Sequence, residues 1–348
     1  MLNQHSKVRF PAEWEAQSFI QFTFPHPESD WAYMYKEVVN CFVNIVENTA
    51  GFQPVLVGCF DKNMVQAYFV NKTEWPIYFI ETPSNDTWAR DHAAITILAD
   101  EKPILLDFIF NGWGQKFEAT LDNQITQNLK TSVFKNLKIQ VEDFVLEGGA
   151  IESDGAGTLL TTSECLLSKF RNPNMTKEQI DVYLKNTFGL KKILWLDHGY
   201  LAGDDTDSHI DTLARLCNKN TIAYVKCEDE KDEHFSALQK METQLKTFTN
   251  SNNEPYDLIP LPWPNACFDS DGERIPATYA NFLIVNNGVL VPTYNVPQDQ
   301  EALEIIQSIF PDRKVIGLDC LPLIDQHGSL HCISMQYPEQ VLLNLKEL

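Results

Sequence analysis

The sequence predicts a mixed α/β fold, and three observations carry the prediction. Apolar runs of strand length alternate along the chain with amphipathic stretches of helical length. Turn-forming Asn, Asp and Gly residues separate several of the runs. No Pro/Gly/Ser-rich linker, low-complexity tract or coiled-coil heptad divides the chain. Residues 1–348 therefore read as one large domain, although length alone would suggest about two.

Candidate strands fall at 54–60, 76–81, 93–98, 104–110, 157–162, 192–196 and 221–225, and then at 258–261, 281–285, 288–292, 314–318 and 330–336. Asn286-Asn287-Gly288 between two apolar runs predicts a hairpin, and Ser153-Asp154-Gly155-Ala156-Gly157 predicts a second. Helices are expected over 31–47, 177–188, 230–248 and 300–309. In the third, Phe235, Leu238, Met241, Leu245 and Phe248 recur at three- and four-residue steps, which gives one apolar stripe for core packing. Thr176 and Gln179 form a capping box at the start of the second, and Gly189 stops it.

Bulk properties narrow the function classes. The chain carries 27 basic and 48 acidic residues, a net charge of -21, which disfavours nucleic acid and anionic membranes and is compatible with a small cationic ligand. No apolar run approaches the roughly 20 residues that cross a bilayer. The segment Met1-Leu2-Asn3-Gln4-His5-Ser6-Lys7 lacks the apolar stretch of a signal peptide, so the expected location is the cytoplasm. Eight cysteines, at 41, 59, 165, 217, 227, 267, 320 and 332, form no Cys-x-x-Cys pair, which removes zinc ribbons and thioredoxin-type redox motifs. Most are expected to be inert core thiols.

The chemistry rests on widely separated pieces. Ser208-His209-Ile210-Asp211 is answered far downstream by Leu330-His331-Cys332. If extended, His209 and Asp211 share a face, and Cys332 and His331 point to opposite faces, which makes His209 the natural partner of Cys332. Trp88-Ala89-Arg90-Asp91 follows an apolar run, as does Glu147-Gly148-Gly149, whose glycines permit close backbone approach. Each piece has a plain reading by itself: a buried thiol, a surface acidic loop, an exposed Arg-Asp pair, a turn. Together they supply a thiol nucleophile, a proton carrier and three carboxylates, a set suited to attack on a carbon inside a cation.

A guanidinium is such a carbon, planar and a poor electrophile. Carboxylates that each accept two N–H bonds hold it in plane, and Asp91 and Asp211 are assigned to that clamp. Cys332 attacks, His209 gives a proton to the departing nitrogen and then activates water, and no metal or organic cofactor is required. A phosphate loop is absent. A metallohydrolase built on His209, Asp211 and the His327/His331 pair is the competing reading, weakened by Gly328 and Ser329 between the two histidines. A homologue without catalytic activity, acting as a binding module, is a third.

These residues resemble the agmatine deiminases. The resemblance lies in Pro11-Ala12-Glu13-Trp14-Glu15, Asn-Asp-x-Trp-x-Arg-Asp at 85–91, Glu147-Gly148-Gly149 with Asp154-Gly155, Thr161-Thr162 and Arg171-Asn172-Pro173. It continues through Asp205-Thr206-Asp207-x-His209-x-Asp211, Tyr279-x-Asn281-Phe282, Phe310-Pro311-x-Arg313 and His331-Cys332-Ile333. The pieces keep family order over almost the whole chain. The resemblance implies a place with the bacterial-type peptidylarginine deiminases and a five-bladed α/β propeller of ββαβ modules around a central site.

By the same resemblance, Cys332 matches the nucleophile, His209 the general acid/base, Asp91 and Asp211 the guanidinium carboxylates, and Glu147 a further acid. Trp88 would wall the pocket, and Asp205 would lie near the substrate's amine. The expected substrate is agmatine, converted to N-carbamoylputrescine in polyamine synthesis. Free arginine or peptidylarginine stay open, because Arg90 and Arg215 could meet a carboxylate. An amidinotransferase and a homo-oligomer stay open too. Three departures from the family pattern stand out: Ser208 for a glycine, His327-Gly328-Ser329 for a glycine-rich stretch, and a phenylalanine-rich 18–26 where tryptophan is usual.

Overall fold

The computed structural model describes residues 7–344, so the reading of Met1–Ser6 as lacking a signal peptide lies outside the described residues. The architecture is mixed α/β, as the alternation of apolar runs predicts. Among the described residues the strands form five sheets of three or four strands and one two-stranded ribbon.

The five larger sheets repeat one plan. A strand pairs antiparallel with the next strand in the sheet, and that strand takes a parallel neighbour on its other side. Ile95–Ala99, Lys102–Ile109 and Lys138–Val145 follow this order. So do Ile151–Ser153, Thr158–Thr162 and Lys192–Leu196, with the helix Lys177–Phe188 crossing between the parallel pair. Ala214–Leu216, Thr221–Val225 and Asp257–Leu261 use the helix Phe235–Leu245. Leu283–Val285, Gly288–Thr293 and Lys314–Asp319 use the helix Gln298–Ile309. The fifth sheet joins the two ends of the chain: Ser334–Pro338 pairs antiparallel with Gln17–Thr23, which is followed in parallel order by Val55–Cys59 and Ile77–Glu81. Parallel neighbours need a crossover, and a right-handed helix is the compact way to make one.

Local sequence explains many of the element ends. Thr176 and Gln179 form the expected reciprocal capping box, and Gly189 closes the same helix at φ 69°, in the left-handed region that glycine tolerates. Asn286 and Asn287 join two strands of the fourth sheet, with Asn287 at φ 58°. The Ser153–Gly157 turn also forms, between Ile151–Ser153 and Thr158–Thr162. The apolar faces of these sheets and helices pack into two large clusters of buried side chains.

Several expected boundaries move. The first helix divides into a 3-10 turn, Asp30–Met34, and an α-helix, Tyr35–Thr49. The third shortens to Phe235–Leu245, because the acidic stretch before it forms turns. Leu330–Ile333 is a turn, and the strand begins only at Ser334, so Cys332 precedes the sheet. His209 caps the short 3-10 turn Ile210–Thr212, and Asp207 and Ser208 before it both have φ 63°, so His209 and Asp211 are not on one extended strand.

Substituting Thr176→Ala removes the cap of a helix remote from the pocket described below. The expected cost is about 1 kcal/mol of stability, read as a lower midpoint of denaturant unfolding. An unchanged midpoint would contradict the capping account.

Candidate active site

The five sheets deliver their chemistry from equivalent places. Asp91 lies a few residues before the strand Ile95–Ala99, and Glu147 before Ile151–Ser153. Asp211 precedes Ala214–Leu216, Asn281 precedes Leu283–Val285, and Cys332 precedes Ser334–Pro338. Hydrogen bonds join these segments to one another. The Gly149 N–H donates to Asp91 Oδ1 at 3.0 Å, and Asn281 Nδ2 donates to the Asp211 carbonyl at 3.3 Å. The His331 N–H donates to Asn281 Oδ1 at 2.8 Å, and the Arg90 N–H donates to the Cys332 carbonyl at 3.0 Å. Residues up to hundreds of positions apart are thereby fixed around one point.

The glycines after Glu147 are required by that closeness. A Cβ on Gly149 would lie 2.6 Å from His209 Nδ1 and 2.9 Å from Asp91 Oδ1. One on Gly148 would lie 2.1 Å from the Arg90 carbonyl oxygen. Gly328 is equally constrained, since its Cβ would meet the Trp88 ring at 2.1 Å.

A pocket of about 240 Å³ opens in front of Cys332. Trp88, Trp113 and Phe117 supply aromatic surface, and Asp91 lines the pocket. Asp30, Asp86, Asp205, Asp325, Tyr33 and His327 lie further along. Trp113 sits in a run of left-handed residues, 112–115, which aims its indole Nε1–H at Asp91 Oδ2, 2.9 Å away. Trp88 donates to Asp86 Oδ2 at 2.8 Å, which fixes the plane of the pocket wall. Asp205 is about two-fifths exposed and pairs with His327 Nδ1 at 3.4 Å.

Behind the pocket, the proposed acid/base and acids are buried. His209 makes no ordinary hydrogen bond through either ring nitrogen. Nδ1 faces Asp91 Oδ1 at 3.6 Å, and Nε2 faces Glu147 Oε2 at 4.0 Å. Burial alone would lower the imidazole's pKa, but Asp91, the neighbouring Cys165 and Glu147 raise it to about 10. Glu147 is held by Arg171 Nε, 2.9 Å from both carboxylate oxygens, and Arg171 also reaches Asp207 and the Thr206 carbonyl. Burial raises Asp91 to about 6, with Asp211 and Glu147 adding to the rise against the pull of His209 and Trp113. Asp211 is also penalised by burial, but its hydrogen bond from His331 and the charges around it hold it below the usual carboxylate range. The Cys332 thiol is pushed well above its ordinary value by burial and then by Asp211 and Asp91. Its sulfur lies 3.9 Å from Asp211 Oδ2 and 3.3 Å from Asn281 Nδ2.

The structure brings Cys332, Asp91, Asp211, His209 and Glu147 into one region, with Trp88 on the wall and Asp205 further along the pocket. Two expectations need correction. Arg90 and Arg215 do not face the pocket: Arg90 Nε bonds the His331 carbonyl and Nη1 bonds Gln336, and Arg215 lies with Glu13 and Glu152. Neither can meet a substrate carboxylate there. The competing metal set is not assembled either. His331 is committed to Asp211 and Glu13, while His327 sits at the pocket wall beside Asp205.

Two other groups bring three donor side chains together, Glu147–Cys165–His209 and Glu13–Glu152–His331. Arg171 already pairs with Glu147, and Arg215 with Glu13 and Glu152, so each carries an organic cation where a metal would need carboxylate charge. Sequence reasoning passed over Trp113, gave no role to Asn281, and considered His331 only as a metal ligand. The family-like motif Tyr279-x-Asn281-Phe282 was the available signal for Asn281; nothing local marks Trp113.

A fold of ββαβ-ordered sheets that gathers a thiol, an imidazole and carboxylates around a pocket defines a class of enzyme suited to a cationic carbon. A model of the Porphyromonas-type peptidyl-arginine deiminase family matches residues 9–338, and the chain belongs to that family of enzymes. It is 32% identical over 355 residues to a Marinomonas sp. (strain MWYL1) protein provisionally named an agmatine deiminase, covering 95% of each chain. Among solved structures, a P. gingivalis protein provisionally named an arginine deiminase is similar at 48% identity and TM-score 0.92, over 97% of this chain and 100% of that one. A Cys-to-Ser variant of C. jejuni agmatine deiminase with substrate bound is similar at 38% identity and TM-score 0.91, over 97% and 98% of the two chains.

Gly149→Ala places a methyl group against His209 and Asp91. The expected outcome is loss of most activity with a stability cost of about 1–3 kcal/mol, measured by ammonia release and denaturant unfolding. Activity close to wild type would contradict the tight approach described here.

Proposed function

We propose that the protein hydrolyses agmatine to N-carbamoylputrescine and ammonia through a covalent thiouronium on Cys332. The observation that carries this reading is the charge of the pocket. Asp30, Asp86, Asp91, Asp205 and Asp325 line it, and no Lys or Arg does among the described residues. Agmatine is cationic at both ends, and such a pocket answers both charges. Free arginine would bring a carboxylate among these acids, and Lys116 beside Asp205 is already bonded to the Asp205 carbonyl and to Asp207. The C. jejuni relative named agmatine deiminase, held with its substrate as a Cys-to-Ser variant, supports the same assignment. We also read the five repeated sheets as the blades of a propeller, with the site at its centre and the chain as one domain.

The guanidinium lies between Asp91 and Asp211, with its flat face over the Cys332 sulfur. Asp211 Oδ1 is buried without a hydrogen-bond partner from the protein, and it receives N–H bonds from the substrate. Burial and two negative charges hold the thiol up; binding a cation there offsets the charges, so the substrate itself favours the thiolate, and the thiol proton passes to solvent. The sulfur adds to the guanidinium carbon, and the C–S bond forms as the carbon becomes tetrahedral. His209, an imidazolium at neutral pH, passes its proton to the terminal nitrogen, the C–N bond breaks, and ammonia leaves. The resulting thiouronium retains the substrate's side chain. Neutral His209 then takes a proton from water, and hydroxide adds to the same carbon. The C–S bond breaks as the new hydroxyl gives its proton to the departing sulfur, which leaves the carbamoyl product and the Cys332 thiol. Glu147, anchored by Arg171, keeps His209 protonated and oriented between the two half-reactions. Trp88 and Trp113 confine the plane of the substrate, and Asp205 lies on the path of its distal ammonium.

Ammonia release from agmatine, free arginine and a peptidylarginine tests the assignment. Turnover of agmatine alone, reduced at least about a thousandfold in Cys332→Ala, is expected. Release from arginine or the peptide would move the substrate class, and activity surviving in Cys332→Ala would remove the nucleophile.

The pH profile is a second test. Asp91, at about 6, must be ionised to hold the guanidinium, so kcat/KM falls as pH drops below about 6. His209, at about 10, must be protonated for the first half-reaction, so kcat/KM falls again as pH rises through about 10. A profile still flat at pH 4 would contradict the Asp91 assignment.

A further inference from the structure

We infer that His331 is a positioning residue for the guanidinium clamp, fixing Asp211 from behind so that one carboxylate oxygen stays free for substrate. This inference rests on the guanidinium reading above and extends it to a side chain that does not line the substrate pocket.

The geometry around His331 runs in a line. His331 Nδ1 is 2.7 Å from Asp211 Oδ2, and Nε2 is 2.8 Å from Glu13 Oε2. Arg215 Nη2 lies 3.0 Å from the same Nε2 and 2.6 Å from Glu13 Oε2. Glu13 is itself tied down, because its Oε1 accepts the Ile284 N–H at 2.8 Å. His331 is fixed through its backbone as well, by the bond to Asn281 Oδ1. Every member of this chain is buried.

The direction of the first bond follows from the acceptor. Asp211 is ionised and can only accept, so Nδ1 must carry the proton whichever way the Nε2 contacts are made. With Oδ2 occupied in this way, Oδ1 is the oxygen left without a partner. That is the arrangement a clamp needs on a carboxylate beside Cys332: one oxygen anchored, the other buried without a partner and available to accept a bond. His331 also distinguishes the two clamp acids. Asp91 has no imidazole hydrogen-bonded to it and sits at about 6, while Asp211 is held below the usual carboxylate range although both are buried. The cavity on the far side, about 40 Å³ and lined by Glu13, Glu152, Arg90 and His331, gives this rear network its own surroundings, separate from the substrate pocket.

Side-chain stereochemistry provides a discriminating test. The amide nitrogen of Asn can occupy the place of imidazole Nδ1, and that of Gln the place of Nε2. His331→Leu is expected to raise KM for agmatine about tenfold to a hundredfold, with a smaller change in kcat. His331→Asn, which keeps a donor toward Asp211, is expected to recover most of that loss, and His331→Gln is not. A purely structural role predicts equal defects in Asn and Gln that follow thermal stability. Equal defects, or no defect in any of the three, would overturn the inference.

A measurement on the native side chain covers the case of poor folding. In ¹⁵N-histidine-labelled Cys332→Ala protein, saturation with agmatine is expected to shift the His331 Nδ1 resonance, because the bound cation draws on the charge of Asp211. Agmatine binding without that shift would overturn the inference while leaving the guanidinium reading intact. No agmatine binding at all would overturn both.

Discussion

The constraint on which the site depends is the balance of charge among carboxylates that have been taken out of water. Glu13, Asp91, Glu147, Glu152 and Asp211 are all buried within one region. Burial of an ionised carboxylate is costly unless a cation or several donors answer it. Arg171 answers Glu147, and Arg215 answers Glu13 and Glu152. Asp211 has His331, while Asp91 has two neutral N–H donors and a more distant imidazole. Of the two acids nearest Cys332, Asp211 is thereby held low, while Asp91 stays raised at about 6. In the proposed mechanism a flat cation entering the pocket completes the balance and offsets the charges of Asp211 and Asp91 that, with burial, keep Cys332 a thiol.

This arrangement explains why the fold matters to the chemistry. Each of five sheets places a segment just before one of its strands beside the others, so side chains from 91 to 332 come together. The hydrogen bonds between neighbouring segments, from Gly149 to Asp91 and from Asn281 to Asp211 and His331, set distances that individual loops could not hold. Tight approach has a sequence consequence at Gly148 and Gly149, where any side chain would displace Arg90, His209 or Asp91. The closing pair, Ser334–Pro338 with Gln17–Thr23, ties the Cys332 segment to a sheet built from the first and last parts of the described residues.

Much of this was legible before the structure. The strands Lys192–Leu196 and Thr221–Val225, the helix Lys177–Phe188 with its capping box, and the Asn286-Asn287 turn follow from local rules about period and turn chemistry. The strand Gln17–Thr23 did not, because it is buried on nearly every residue and shows no alternation. Asp91, His209, Asp211 and Cys332 were legible as a set through family-like motifs and the demands of guanidine chemistry. Their geometry was not: the left-handed residues Asp207 and Ser208 turn His209 out of any extended path. The rear network was invisible to pattern reading. Glu13, Arg215 and His331 lie far apart in sequence, and a buried arginine looks the same on paper as an exposed one.

In the proposed mechanism Asp91 and Asp211 receive a planar cation in front of Cys332. A crystal structure of Cys332→Ala with agmatine tests it most directly. The account predicts the guanidinium in hydrogen-bond contact with Asp91 and Asp211 Oδ1, and the ammonium tail directed along the pocket toward Asp205. Agmatine bound in the reverse sense, or a guanidinium that touches neither carboxylate, would contradict it.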